Sequence, residues 1–120
     1  MGQSYRDLIA WQRAMALVTS IYTVTKTSPR EETYGLARQL RRAAVSVPSN
    51  IAEGQARYSS REFHHFLSQA RGSLVEIETQ IMIAAELGYL NKDTCQNVLN
   101  DTAGLGRILN RLIGSIRDAA

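Results

Sequence analysis

Arginine side chains in the middle of the chain are the groups whose chemistry is easiest to name. All fourteen basic residues except Lys26 and Lys92 are arginine, and the formal net charge is +3. A guanidinium binds phosphate or carboxylate through paired hydrogen bonds, and a row of them can follow a nucleic-acid backbone. Tyr58, His64 and His65 lie among these arginines and can stack on bases. We predict one candidate nucleic-acid-binding surface, which consists of Arg38, Arg41, Arg42, Arg57, Arg61 and Arg71.

The same arginines also fit a structural role. Acids such as Glu53 and Glu62 lie close to them in the sequence and dilute the positive charge. In this alternative the chain is a purely structural or protein-interaction module, and its arginines make subunit contacts through acids such as Glu76 and Glu78. Nucleic-acid binding that weakens steeply with salt would support the first interpretation, and no binding at low salt would leave only the second.

A second polar set surrounds a proline within an apolar segment. Pro48 has no N–H and its ring crowds the carbonyl of Ala44, so it penalises a continuous helix by roughly 3 kcal/mol and predicts a kink. Four polar residues lie at helical spacings around this proline: Ser46, Ser49, Asn50 and Glu53. We interpret them as a structural hydrogen-bond network that serves the backbone groups left unpaired by Pro48. A ligand or partner site at the kink is the alternative.

Catalytic and metal-binding residues are sparse in this sequence. His64 and His65 are adjacent, so on a helix they point about 100° apart and cannot share a metal ion. Cys95 has no histidine at a suggestive spacing and is expected to fill apolar space. The sequence has no phosphate-binding glycine loop, no nucleophile elbow and no repeated Glu-x-x-His motif. We therefore predict no enzymatic activity, no metal and no cofactor.

The composition predicts a single soluble domain over residues 1–120. Hydrophobic residues make up 44% and charged residues 21%, as in ordinary globular proteins. The single cysteine excludes an intramolecular disulfide and is typical of a reducing compartment. The first seven residues lack the basic-then-apolar pattern of a signal peptide, and no apolar run approaches the ~18 residues of a membrane span. We expect a cytoplasmic protein without a membrane partner.

Apolar residues recur at alternating spacings of three and four, which predicts helices. Helix one begins near Asp7 and ends before Pro29. Its predicted core seam is Leu8, Trp11, Met15, Val18, Tyr22 and Thr25, widened by Ile9, Ala14 and Ile21. Helix two begins with a capping box from Ser28 to Glu31 and ends at Gly54. Its predicted seam is Leu36, Leu40, Ala43, Val47, Asn50 and Gly54.

Two further helices follow. Helix three begins with a second capping box, Ser59 to Glu62, and ends at Gly88. Its predicted seam is Phe63, Leu67, Ala70, Leu74, Ile77, Ile81 and Ala84. Asn91 caps helix four, whose predicted seam is Val98, Thr102, Leu105, Leu109, Leu112 and Ile116. Gly104, Gly106 and Gly114 each weaken helix four by roughly 1 kcal/mol, so we expect it to be the least stable.

Four long helices with short connections predict an all-α fold, an up-down-up-down antiparallel four-helix bundle with a Pro48 kink in helix two. Tight turns also predict registers. Arg38 is expected to pair with Glu76 across helices two and three. The other expected neighbours are Trp11 with Ala44 and Val47, Ala43 and Ala44 with Ala70 and Gly72, and Gly104 and Gly106 with Ser73, Leu74 and Glu76.

Several motifs resemble one bacterial family. They are Asp7-Leu8-x-x-Trp11-Gln12, Tyr34-Gly35-Leu36-x-x-Gln39-x-x-Arg42-Ala43-Ala44, Ser46-x-Pro48-x-Asn50-Ile51-Ala52-Glu53-Gly54 and Gly72-Ser73-Leu74-x-Glu76-x-Glu78. From Asp7 to about Tyr89 the chain resembles the small four-helix bundle proteins first described as encoded in intervening sequences of 23S ribosomal RNA genes. One departure is Ser28 before Pro29, where the family often has a large apolar residue.

The resemblance implies a homopentameric ring of bundles and no known enzymatic activity. The family is also similar in architecture to the accessory protein of diversity-generating retroelements, a basic pentamer that partners a reverse transcriptase and nucleic acid. The partners implied are therefore other copies of the chain, and RNA, DNA or a reverse-transcriptase-like nucleoprotein. A likeness of fold and assembly supports function by analogy alone.

Overall fold

The computed structural model describes residues 4–119, apart from the side chains of residues 32, 33 and 117–119. This part of the chain is helical and contains no strand. Two short 3-10 turns, Tyr5–Asp7 and Arg30–Thr33, precede the first two long helices. The long helices are α1 (Ile9–Thr25), α2 (Leu36–Gln55), α3 (Ser60–Glu86) and α4 (Lys92–Ala119). Of the seven residues considered for a signal peptide, 1–3 lie outside the described part.

The four helices form an elongated bundle of 46 × 22 × 20 Å. Each helix packs against the next one in the chain, and α4 also packs against α1. Side-chain hydrogen bonds join Gln39 to Gln80 and Ser46 to Ser73, so residues that advance along α2 meet residues that recede along α3. The predicted antiparallel four-helix bundle is confirmed. α2 continues through Pro48, and the kink there stays a prediction.

The boundaries of α3 follow directly from local sequence signals. The Ser59 hydroxyl accepts a hydrogen bond from the Glu62 amide at 3.1 Å, which is the N-cap bond of the predicted capping box. The Glu62 carboxylate reaches back to the same residue, where it accepts from the Ser59 hydroxyl at 3.1 Å. At the other end, Gly88 takes a positive φ of 79°. The amide of Tyr89 then bonds the Ala84 carbonyl, a Schellman ending that requires glycine's freedom at this position. The Asn91 side chain accepts from the Thr94 amide at 2.8 Å, so its predicted capping role is confirmed.

A single aliphatic core runs along the bundle. Burial of each large aliphatic side chain contributes roughly 1.5–3 kcal/mol, which makes this core the main stabilising term. Its largest fully buried members include Ile21, Leu40, Ile51, Leu67, Ile77, Ile81, Leu105 and Leu109. Small buried residues, namely Ala10, Ala14, Ala43, Ala44 and Ala70, let the helix backbones approach closely. The predicted seams of α3 and α4 are largely confirmed, with Thr102 fully buried on α4.

The predicted core face of helix one is only partly correct. Ala14, Ile21 and Thr25 are buried as predicted, whereas Ile9 is 61% exposed and the rest of the predicted seam lies one position away from the core. The buried face of α1 consists of Ala10, Ala14, Leu17, Ile21 and Thr25. Of the predicted seam, Met15 and Tyr22 are exposed, while Leu8, Trp11 and Val18 are only partly buried at the edge of the core. Both stripes have helical spacing, and the narrower side chains of the alanine stripe fit the close approach of neighbouring helices.

The predicted start of helix two is also wrong. Ser28 and Pro29 are followed by a 3-10 turn, and α2 begins only at Leu36. The N-cap residue is Gly35, which provides no side-chain hydrogen bond. A capping box is worth about 1 kcal/mol, too little to carry a helix through the poor helix formers Thr33 to Gly35. The predicted end near Gly54 agrees with the observed end at Gln55.

The register between α2 and α3 differs from the prediction by about one helical turn. Ser46 meets Ser73 and Gln39 meets Gln80, so the reversal centres near Ser59. Close packing at Gly54 holds this register, because a Cβ there would lie 2.7 Å from the Cβ of Phe66. The expected Arg38–Glu76 ion pair does not form between these two described residues. Glu76 instead accepts a hydrogen bond from Gln80 at 3.1 Å.

Trp11 lines a surface groove between α1 and α2 together with Val45, Pro48, Ser49 and Ala52. It is partly buried against the core cluster that contains Ala44 and Val47, and its direct contact with these two residues stays a prediction. The register between α3 and α4 agrees with the prediction. A Cβ on Gly106 would contact Leu74 at 3.6 Å, and Thr102 donates to Glu78 at 2.8 Å. The expected low stability of α4 stays a prediction.

Candidate nucleic-acid interface

The polar residues around Pro48 mostly serve their own helix. The Ser49 hydroxyl donates to the Val45 carbonyl at 2.8 Å, and the Asn50 amide donates to the Ser46 carbonyl at 2.8 Å. The Ser46 hydroxyl contacts the Ala43 carbonyl and the Ser73 hydroxyl of α3. Three of the four predicted network residues therefore bond backbone carbonyls near the proline, namely those of Ala43, Val45 and Ser46. None of these is the Ala44 carbonyl, whose helical donor Pro48 removes, so the role of the network stays a prediction.

Glu53 does not join this network. Its carboxylate is exposed and forms an ion pair with Arg57 at 3.0 Å, one turn further along. Because both side chains are largely in water, such a pair contributes little to stability. The guanidinium of Arg57 also lies 4.8 Å from the centre of the Phe66 ring. Arg57 thus fastens the end of α2 to the first turns of α3.

The arginines of α2 occupy the half of the bundle that holds most of the acids. Arg38 and Arg42 are exposed. Arg41 is half-buried; its Nε donates to the hydroxyl of buried Thr25 at 2.8 Å, and its guanidinium lies 4.7 Å from the Tyr22 ring centre. Arg41 therefore holds α1 against α2. We call Arg38, Arg41 and Arg42 the α2 arginines; Glu76, Glu78 and Glu86 lie on the half of α3 that runs beside them.

The connection between α2 and α3 presents an aromatic ring and two cations at the opposite end of the bundle. Tyr58 is 105% exposed relative to a reference residue, which makes its ring fully available for stacking. Arg57 precedes it and the exposed Arg61 lies in the first turn of α3. The sequence-predicted surface is therefore divided, because Arg57, Arg61 and Arg71 lie in one half of the bundle and the α2 arginines in the other.

Arg71 belongs to a cluster that the sequence interpretation missed. Its Nε donates to the Asn110 side chain of α4 at 2.8 Å. Asn110 directly precedes the exposed Arg111 and comes three residues after the exposed Arg107. Three arginines thus converge within about one helical turn of Asn110. We call Arg61, Arg71, Arg107 and Arg111 the basic strip.

Three members of the basic strip, Arg71, Arg107 and Arg111, lie within two stretches of sequence without acids, whereas Arg61 is followed by Glu62. Residues 63–75 of α3 and residues 102–117 of α4 contain no Asp or Glu, and the antiparallel register places them side by side. His64 is half-buried on α3 between Arg61 and Arg71. The absence of acids from residues 102–117 is visible in the sequence and, with the predicted α3–α4 register, was the available signal for Arg107 and Arg111. Because no carboxylate lies within these two stretches, the positive potentials of Arg71, Arg107 and Arg111 add.

The remaining reactive side chains stay apart. The buried Cys95 contributes to the core, and His65 packs its ring edge-on against Phe66 at 5.6 Å between centres. Within the described part of the chain, no three side chains of His, Cys, Asp and Glu come close enough together to hold a metal ion. No helix in that part is both long and apolar enough to cross a membrane.

The fold and this surface define a small four-helix bundle with an arginine-lined side. The model of the 23S rRNA-intervening sequence protein family matches residues 6–111, and the chain belongs to this family. A crystal structure of a protein of unknown function from the S23 ribosomal protein family of Bacteroides thetaiotaomicron is similar, with a TM-score of 0.83. It is 18% identical and covers 93% of this chain and 99% of its own, which shows the shared fold. No curated protein matches the sequence.

Proposed function

We propose that this protein is a non-enzymatic, self-associating helical bundle that binds nucleic acid through the basic strip. The observation that carries the proposal is the convergence of Arg71, Arg107 and Arg111 around Asn110 within acid-free stretches of α3 and α4. Guanidinium groups at such spacing can contact successive phosphates along a backbone. Tyr58, beside Arg61, adds an exposed ring that can stack on an unpaired base.

One copy of the chain carries a net charge of only +3, and self-association would multiply this charge. Five copies at +3 each would carry +15, which raises both the electrostatic attraction and the number of simultaneous contacts. A homopentamer in the cytoplasm, acting on RNA, DNA or a nucleoprotein such as a reverse-transcriptase complex, is the assembly that we propose. The architectural analogy with the retroelement accessory protein supports this choice of partners.

The experiment is a titration of the intact oligomer into labelled single-stranded and duplex RNA and DNA. Fluorescence anisotropy is measured at several salt concentrations between about 50 and 300 mM, a range over which phosphate contacts weaken strongly. Light scattering reports the mass of the protein under the same conditions. We expect log K to fall linearly with log salt, with a slope of about −0.9 for each phosphate contacted on duplex DNA. An intact oligomer that binds none of these nucleic acids at 50 mM salt would overturn the proposal.

A second candidate function has its own observation. The α2 arginines lie beside an exposed apolar groove, and Arg38 and Glu76 are exposed without an ion-pair partner among the described residues. These features favour a protein-interaction module whose arginines meet acids of another copy. In that case the oligomer would assemble normally and fail the nucleic-acid titration.

A further inference from the structure

An apolar groove on the surface of the bundle lies between α1 and α2. It is lined by Tyr5, Trp11, Met15, Val18, Val45, Pro48, Ser49 and Ala52, and we call it the α1–α2 groove. Met15 is 44% exposed and Val45 42%, so the apolar lining remains in contact with water. Apolar side chains in one continuous depression are typical of a surface that binds a protein partner.

The groove explains the second apolar stripe of α1. Trp11, Met15, Val18 and Tyr22 repeat at spacings of four, three and four, the pattern with which a helix packs along another helix. Within the chain the core uses the neighbouring stripe, which contains Ala14. The stripe with coiled-coil spacing therefore lacks a complete partner in its own bundle, and a helix is the element that fits it.

The same chain exposes an apolar helix surface of the matching type. On the outer side of α3, Val75 is 49% exposed, Met82 50% and Ile83 43%, and Leu87 follows one turn later. Thr79 lies between them at helical spacing and bonds its own helix through the Val75 carbonyl. We call Val75, Thr79, Met82, Ile83 and Leu87 the α3 ridge.

Charges beside these two surfaces are complementary. Arg38, Arg41 and Arg42 each precede a groove residue by seven positions, namely Val45, Pro48 and Ser49, so they continue the groove along α2. Glu76 and Glu86 lie beside the α3 ridge and are exposed. Within the described part of the chain, Glu76 and Glu86 form no ion pair, and the α2 arginines form none either. A basic groove and an acidic ridge thus face solvent on one molecule.

We propose that the α3 ridge of one copy docks in the α1–α2 groove of a second copy, with the α2 arginines meeting Glu76 and Glu86. The two surfaces belong to different sides of the bundle, so the contact is head-to-tail and a closed ring is the assembly that leaves neither surface exposed. This inference rests on the self-association included in the proposed function. It does not depend on nucleic-acid binding.

The test uses the full-length chain without nucleic acid. Val45→Arg blocks the groove, Met82→Arg blocks the ridge, and Ala103→Arg, at an exposed position on α4, is the matched control. Light scattering after size exclusion is expected to give a single-chain mass for the first two variants and the wild-type mass for the control. Circular dichroism melting shows that each variant is folded, since all three positions are exposed.

Mixing the two blocked variants provides the decisive measurement. Each variant retains the surface that the other has lost, so an equimolar mixture should form a dimer and no larger species. A mixture that stays monomeric, or blocked variants that keep the wild-type mass, would overturn the ridge-in-groove contact while leaving self-association itself standing. A wild-type protein that is monomeric at micromolar concentration would overturn both.

Charge reversal tests the second half of the proposal. Arg38→Glu with Arg42→Glu should weaken assembly at least tenfold in concentration, and adding Glu76→Arg and Glu86→Arg to the same chain should restore it. Failure of the fourfold variant to recover the wild-type mass, with normal melting, would show that these charges do not meet.

Discussion

The α2 arginines and the basic strip contain the same side chain in comparable numbers but in different surroundings. Arg41 is held by Thr25 and Tyr22, and the exposed Arg38 and Arg42 lie beside an apolar groove in the acid-containing half of the bundle. In the strip, Arg71, Arg107 and Arg111 lie within acid-free stretches of α3 and α4. The comparison indicates that the presence of arginine alone does not determine which kind of partner a surface binds. The neighbouring groups do, since apolar surface beside cations favours protein contacts and an uninterrupted row favours phosphates.

Gly54→Ala should have the largest effect, because it disturbs the packing of α2 on α3, which sets the positions of the α2 arginines relative to the basic strip. The added Cβ would lie 2.7 Å from the Cβ of Phe66. The Phe66 Cβ is bonded directly to the backbone of α3, so it cannot move aside without shifting that helix. We expect the free energy of unfolding to fall by about 3 kcal/mol, measured by urea denaturation. Gly72→Ala is the control: with nothing within 4 Å of its Cβ, it should raise stability by about 0.5–1 kcal/mol. Equal effects at both sites would show that the α2–α3 register does not depend on Gly54.

Exchange of matched arginine pairs tests the comparison directly. Arg107 and Arg111 on α4 have the same spacing as Arg38 and Arg42 on α2, and all four are exposed. Converting the α4 pair to Gln should reduce nucleic-acid affinity about tenfold and reduce the salt slope by about 2, because two phosphate contacts disappear. The α2 pair should change affinity less than threefold when measured where both variants have the wild-type mass. Equal losses would mean that binding follows net charge rather than the strip.

Arg41→Gln should reveal the structural role of one α2 arginine. Its loss leaves the buried Thr25 hydroxyl without the Nε donor at 2.8 Å and removes the contact with the Tyr22 ring. Thermal melting should show a decrease of about 1 kcal/mol in stability with no change in nucleic-acid affinity. Arg42→Gln, one residue away and exposed, is the control and should stay within about 0.5 kcal/mol of wild type. A matching loss at Arg42 would contradict the distinction.

Asn110→Ala should produce the smallest effect and sharpen the definition of the strip. Without the Asn110 oxygen, Arg71 loses the hydrogen bond that orients its guanidinium beside Arg111. We expect nucleic-acid affinity to fall about threefold, close to 0.6 kcal/mol, in the same anisotropy titration. Asn100→Ala, on α4 with only a Gln96 contact to lose, should leave the affinity unchanged. An Asn110→Ala variant with wild-type affinity would show that Arg71 needs no positioning.

Helix boundaries were predictable where a local signal and tertiary packing agreed. The Ser59 N-cap, the Gly88 ending and the Asn91 cap all appear where the sequence predicts them, because each is decided by hydrogen bonds within a few residues. The Ser28 capping box did not start α2, since the residues that follow it do not favour a helix. Local signals therefore located α3 well and α2 only at its end.

The core face of α1 could be chosen only in part from the sequence. Its Trp11 stripe and its Ala14 stripe differ by a rotation of about 100°, and both have helical spacing. The larger side chains suggested the first stripe, but the distance between neighbouring backbones favoured the second. The choice depends on how closely two helices approach, which is a property of the pair and not of either segment.

The candidate site was predictable in residue type and only partly in place. Arg61 and Arg71 were selected from the sequence, whereas Arg107 and Arg111 were missed although the predicted α3–α4 register brings them next to Arg71. The α2–α3 register was predicted about one turn away, and this error produced the Arg38–Glu76 pair that does not form. One turn is about 5.4 Å, enough to break any ion pair.

The amino-acid sequence by itself determined an all-helical chain, the limits of α3, the arginine-rich chemistry and membership of a known family. These properties depend on periodicity, on caps and on residue identity, all of which are local. The tertiary structure alone decided which stripe of α1 enters the core, which arginines share a surface and which charges among the described residues lack an ion-pair partner. Those outcomes depend on rotations and shifts between packed helices, where one residue or one turn changes every neighbour.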